Sequence, residues 1–91
     1  MPLEIHFTNK FEKDLKKISK QGKDLSLIQK VIDMLVENIP LPSKNKDHQL
    51  KGNLKEYRDC HIEPDWILLY KIDFQKNILI LFRTGSHSDL F

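Results

Sequence analysis

Cysteine is almost missing from this chain. Cys60 stands alone among 91 residues, so no internal disulfide can form, and a reducing compartment suits the protein. Glycine is nearly as scarce, with three residues in all. They form no phosphate-cradling loop, and no Ser-His-Asp signature accompanies them. No apolar run approaches the roughly 18 residues of a membrane span, and the opening Met1-Pro2-Leu3-Glu4 is not that of a signal peptide. On these absences a cytoplasmic protein with no membrane partner is expected. The length allows one domain, residues 1–91, with a single modest core.

What is present is ordinary for a folded globular protein: 40% apolar and 31% charged residues. The net charge is only +2, but it is unevenly spread. Between Thr8 and Lys23, six lysines (Lys10, Lys13, Lys16, Lys17, Lys20 and Lys23) face only Glu12 and Asp14. Such a stretch is either a solvated helix face or a surface for an acidic partner such as nucleic acid.

Leu3 to Phe7 alternates apolar and polar residues with the period of a half-buried strand. Asn9 with Glu12 has the form of a capping box, and Phe11, Leu15 and Ile18 follow at helical spacing until Gly22. Asp24 or Ser26 caps a second helix. Its stripe Ile28, Val31, Ile32, Leu35, Val36 and Ile39 runs to Pro40 and Pro42. The two helices form a hairpin. Ser43 to Lys51 reads as a polar loop that carries His48. Strands are predicted over Leu54–Ile62, Trp66–Ile72 and Ile78–Thr84, with links short enough for antiparallel hairpins. In the last two strands both parities are apolar, so both faces need cover. The predicted class is α+β with order β-α-α-β-β-β, a helical hairpin on a curved, mainly antiparallel four-stranded sheet, and a short tail.

Following the chain through this meander brings His61, Asp65, Trp66, Arg83 and His87 to one rim of the sheet. His48 starts at the opposite end and has to be carried over by its loop if it joins them. Such a rim suits phosphodiester transfer. Cleaving RNA takes a base for the 2'-hydroxyl proton, an acid for the leaving 5'-oxygen and a cation beside the phosphate. Imidazole titrates near neutrality and can carry either proton, and a guanidinium offers a planar fork to phosphate oxygens. Asp65 could orient an imidazole or carry a proton itself, and Trp66 and Phe91 could hold unstacked bases. Plainer accounts exist for each: a strand-end histidine is usually solvated, Trp66 opening an apolar strand is a core position, Arg83 could pair with Asp59 or Asp65, and Phe91 could tuck the tail into a groove. Metal binding by Cys60, His61, Asp65, His48 and His87 is a weaker alternative. Adjacent Cys60 and His61 point to opposite strand faces, and neither C-x-x-C nor H-x-x-x-H spacing occurs. No metal or other cofactor is expected.

The runs KDHQLKGNLKEYRDCHIEPDWILLYKI and LFRTGSHSDLF, within residues 46–91, closely resemble the YafQ branch of the RelE/ParE toxin superfamily, ribosome-dependent mRNA endonucleases of toxin-antitoxin modules. The match lies in K-D-H-x-L-x-G, Y-R-[DE]-x-H-[IV]-x-P-D-W and R-x-G-[ST]-H. Upstream, only the layout of a strand and a helical hairpin agrees. The resemblance implies that His48, His61, Asp65 and His87 share the acid-base work in the ribosomal A site without a metal, and that Arg83 stabilises the phosphate. Trp66 and Phe91 then position mRNA, and the first helix, with Lys13, Lys16 and Lys17, meets ribosomal RNA or the antitoxin. It also implies a cognate antitoxin of the DinJ/RelB type. The rival reading is a non-enzymatic ParE-like toxin that binds gyrase and needs none of the His/Asp/Arg set.

Overall fold

The computed structural model describes residues 2–91. Strand β1, Glu4–Phe7, leads into helix α1, Asn9–Lys20. The cap of α1 is Thr8 rather than the predicted Asn9: its hydroxyl oxygen accepts from the Phe11 N–H at 3.0 Å and its O–H donates to the Phe82 carbonyl at 2.7 Å. One side chain thus satisfies a free helix N–H and ties the helix start to a distant strand, which Asn9 inside the first turn does not do. Gly22, at φ +81°, ends the helix in the left-handed region that suits glycine.

Helix α2, Leu25–Val36, is capped by Asp24, whose carboxylate accepts from Ser26 N at 3.0 Å. It stops before the predicted Ile39, because Asn38 turns left-handed at φ 57°. Ile39 N then donates to the Met34 carbonyl at 2.9 Å and Asn38 N to that of Leu35 at 3.1 Å, a pair of bonds that closes off the last carbonyls.

Beyond a short helical turn at Ser43–Asn45 come β2, His48–Gln49; β3, Arg58–Glu63; β4, Trp66–Asp73; and β5, Ile78–Gly85. A four-residue turn of helix, α3, His87–Leu90, follows, capped by Ser86. The sheet has five strands in the order β1-β5-β4-β3-β2, one more than the sequence suggested. Strand β1 lies parallel to β5 and the other pairs are antiparallel. The added strand β2 covers only two residues, too few to show any hydrophobic period. The stretch before Arg58 is not strand: Gly52–Leu54 forms a second short helical turn.

One face of the sheet carries the core. Phe11 and Ile18 of α1 and Ile28, Val31, Ile32 and Leu35 of α2 pack over Cys60, Trp66, Leu68, Tyr70, Leu79 and Leu81. The alternate residues Ile67 and Leu69 are buried on the opposite face, which explains why both parities of β4 are apolar. Cross-strand partners share a face. Beside Leu69 therefore stand Asp59 on β3, His48 opposite Asp59 on β2, and Arg83 on β5; beside Ile67 stand His61 and Gly85. The fold aligns the chemistry-bearing side chains in two rows on the sheet face away from the helices.

Candidate active site

His87 sits in the first turn of α3, just past β5. Its Nδ1 lies 2.8 Å from Asp65 Oδ1, and its backbone N–H donates to the same oxygen at 3.1 Å. These bonds from His87 hold the Asp65 carboxyl below the usual carboxylate range, so it is ionised and accepts only. Nδ1–H is then the donor, and Nε2 is the nitrogen left for other work. The His61 ring stands 5.2 Å from the His87 ring, centroid to centroid.

His48 does not depend on a long loop to reach this group. Pairing in β2 places it opposite Asp59, with Nε2 at 4.0 Å from Asp59 Oδ2. Its Nδ1 lies 2.7 Å from the Lys46 carbonyl, which can only accept, so this imidazole too has a fixed Nδ1–H.

Asp59, which the sequence offers only as a partner for Arg83, stands at the centre of this group. It is 4% exposed, and among the described residues its Oδ1 has no hydrogen-bond partner. Burial pushes its carboxyl up, opposed by the nearby His48, His61 and His87. The available signal was its two-residue spacing from His61, which puts both on one strand face. One donor atom each from Asp59, His61 and His87 lie within 4.8 Å of one another, so these three could hold a metal ion. Cys60 cannot join them: it is wholly buried on the helix side, and burial pushes its thiol up.

Arg83 does not pair with Asp59 or Asp65. Its Nε and Nη2 donate to the two oxygens of Asp14 at 2.6 and 3.0 Å, and Thr84 N donates to Asp14 as well, at 3.2 Å. β1 pairs with β5 only as far as Leu81, and Asp14 of α1 takes over the exposed strand edge from there. The hydrogen bonds that Arg83 donates to Asp14 raise the guanidinium pKa, so its charge is permanent. Asp14→Ala should lower stability by about 1 to 3 kcal/mol, because it strands both a guanidinium and a strand N–H. Urea unfolding would read this as a lower midpoint at constant slope; an unchanged midpoint would show that the pair contributes nothing.

Trp66 does not offer the base platform expected of it. It is 1% exposed, and its Nε1–H donates to Thr84 Oγ1 at 2.9 Å, so the ring is core and has no free face for a base. Phe91, by contrast, is 60% exposed. Lys13 and Lys16 are exposed on α1, while Lys17 lies 3.4 Å from Asp89. His61, Asp65 and His87 are brought together; His48 meets the group through Asp59, and Arg83 stands in the same row of the sheet as His48 and Asp59.

A family model described as "Bacterial toxin of type II toxin-antitoxin system, YafQ" matches residues 3–91. The chain is 42% identical over 89 residues to the mRNA interferase toxin YafQ of Escherichia coli K12, covering 97% of this chain and 95% of that protein. Among solved structures, a metal-bound toxin from Helicobacter pylori is 52% identical, with a TM-score of 0.92 and coverage of 98% and 99% of the two chains. The toxin of the E. coli DinJ–YafQ toxin-antitoxin complex is similar at 40% identity and a TM-score of 0.90, covering 100% of this chain and 99% of that one.

Proposed function

The chain belongs to the YafQ family of bacterial type II toxins, and on that premise we propose that it is an endoribonuclease that cleaves mRNA in the ribosomal A site by acid-base catalysis. The observation that carries this reading is the His87–Asp65 pair, with a fixed Nδ1–H and a free Nε2, standing 5.2 Å from the His61 ring. In the reaction, one imidazole takes the 2'-hydroxyl proton and the freed oxygen attacks phosphorus. The bond to the 5'-oxygen breaks, and an imidazolium protonates the departing oxygen. The products are a 2',3'-cyclic phosphate end, which addition of water opens to a 3'-phosphate, and a 5'-hydroxyl end. His87, His61 and His48 are the proton carriers, and Asp65 orients His87. Arg83, with one nitrogen not engaged by Asp14, meets the charge on the phosphate. Phe91 rests against a base.

The exposed lysines of α1 face ribosomal RNA, and a cognate antitoxin blocks the protein, as DinJ accompanies YafQ in the E. coli complex. Ile5 and Phe7 on the edge strand β1 are exposed apolar side chains of the kind a partner covers.

Primer extension on translating ribosomes tests the reading. New mRNA ends within codons are the expected result, whereas intact mRNA with inhibited supercoiling would replace it by gyrase binding. A second arm tests the chemistry. Activity should survive a chelator at levels that spare the ribosome. Cupric or zinc ions should inhibit, because a metal on Asp59, His61 and His87 occupies the nitrogens that must carry protons. Loss of cleavage on chelation, restored by metal, would overturn metal independence.

A further inference from the structure

Two lysines border this site, and none of the roles above uses their side chains. Lys44 and Asn45 of the turn Ser43–Asn45, with the left-handed Lys46 (φ 47°, ψ 42°), form one wall of a groove of about 290 Å3; His61, Ile62, Glu63 and Pro64 form the other. The wall is fixed in place. Asn45 is 6% exposed, and its Nδ2 donates to the His61 carbonyl at 2.7 Å, pinning the turn to β3. Lys46 takes a backbone conformation disfavoured for a residue with a Cβ, by about 1 kcal/mol or more, and with it presents its carbonyl to His48 Nδ1 at 2.7 Å. The turn that orients one catalytic imidazole therefore also lines the groove beside another.

The chemistry of the groove is that of a nucleotide site. Among the described residues no carboxylate lies within 4.0 Å of the ammonium of Lys44 or Lys46, and both side chains are exposed. Glu63, the acid in the opposite wall, is turned to Lys23 at 3.4 Å. Ile62 and Pro64 add apolar surface, and His61 joins the groove to the cleavage site. The volume lies near the low end of small-ligand pockets, about 300 Å3, enough for one mononucleotide unit and not for a duplex. Unpaired cations at the rim, an apolar wall and a reactive imidazole at one end suit a single-stranded nucleotide with its phosphate.

We infer that this groove is the subsite for the mRNA nucleotide adjoining the scissile linkage, with Lys44 and Lys46 on its phosphate and Ile62 and Pro64 against its base. The inference rests on the nuclease reading above. It assigns the Lys44–Lys46 turn two jobs, orienting His48 through its backbone and gripping substrate through its side chains.

The test combines the double variant Lys44→Gln/Lys46→Gln with mRNA carrying a neutral methylphosphonate at the linkage on either side of the cleaved one. On translating ribosomes the variant should raise KM about 10-fold, the scale of a lost charge-assisted contact, with kcat nearly unchanged. The neutral linkage on one side should slow the wild-type protein similarly and cost the variant nothing further, since the two changes remove the same contact. Lys44→Arg/Lys46→Arg should restore the charge and most of the binding. Losses that add in full would show the lysines gripping something other than that phosphate, such as ribosomal RNA, and would overturn the subsite. So would a variant with wild-type KM, or one that loses only antitoxin affinity. Failure of the nuclease reading itself looks different: the wild-type protein would then leave every mRNA intact.

Discussion

Replacing His87 with alanine is expected to slow mRNA cleavage by about 100- to 10,000-fold, the usual contribution of a positioned proton carrier, while folding and antitoxin binding stay close to normal. The separation follows from how the residue is held. Its side chain is 45% exposed, and its ion pair is with an Asp65 that is 73% exposed. Solvent screens an exposed pair of this kind, so its loss costs the fold little. The bond from the His87 backbone N–H to Asp65 Oδ1 survives the substitution, as does the Ser86 cap, whose Oγ accepts from Asp89 N at 3.2 Å. The start of α3 therefore keeps its anchors while the imidazole is lost. The readouts are cleavage on translating ribosomes, the urea midpoint and antitoxin affinity. A folded His87→Ala protein that cleaves at the wild-type rate would remove this residue from the mechanism.

The antiparallel meander, the helical hairpin and the gathering of His61, Asp65, Arg83 and His87 at one region were legible because each rests on local signals: apolar period, short links and turn residues. What escaped depended on pairings between distant segments. β2 is two residues of polar sequence, so nothing local shows that His48 is paired with Asp59 rather than looped across. Arg83 finds its partner 69 positions away in Asp14, one of two acids whose charges are submerged among lysines in any count of helix α1. Asn45 reads as one more polar loop residue until its side chain is seen to hold the His61 carbonyl. The rim predicted from strand ends is better described as two cross-strand rows. The register that builds those rows includes a bulge between Leu69 and Tyr70, which no spacing announces.

Trp66 is where the reading by resemblance and the packing part company, and the difference can be measured. Trp66→Ala should destabilise the protein by about 3 to 5 kcal/mol, the range for emptying a large aromatic site. That is a large share of the roughly 5 to 15 kcal/mol that holds a domain together. The loss extends beyond the cavity. Trp66 Nε1–H donates to Thr84 Oγ1, the Thr84 hydroxyl donates to the Ile67 carbonyl at 2.8 Å, and Thr84 N–H reaches the Asp14 carboxylate that grips Arg83. Removing the indole thus loosens a chain of bonds that ends at the proposed phosphate clamp. Trp66→Phe keeps most of the ring and leaves the Thr84 hydroxyl its own donated bond, so it should cost only about 1 kcal/mol more than the lost volume, and cleavage should persist. The expected pattern is activity that tracks the folded fraction across both variants, measured by urea unfolding and cleavage on the same samples. A Trp66→Ala protein with a wild-type midpoint and impaired cleavage would put the indole back in contact with RNA. It would also mean that the burial of this ring is not what holds the sheet to its helices.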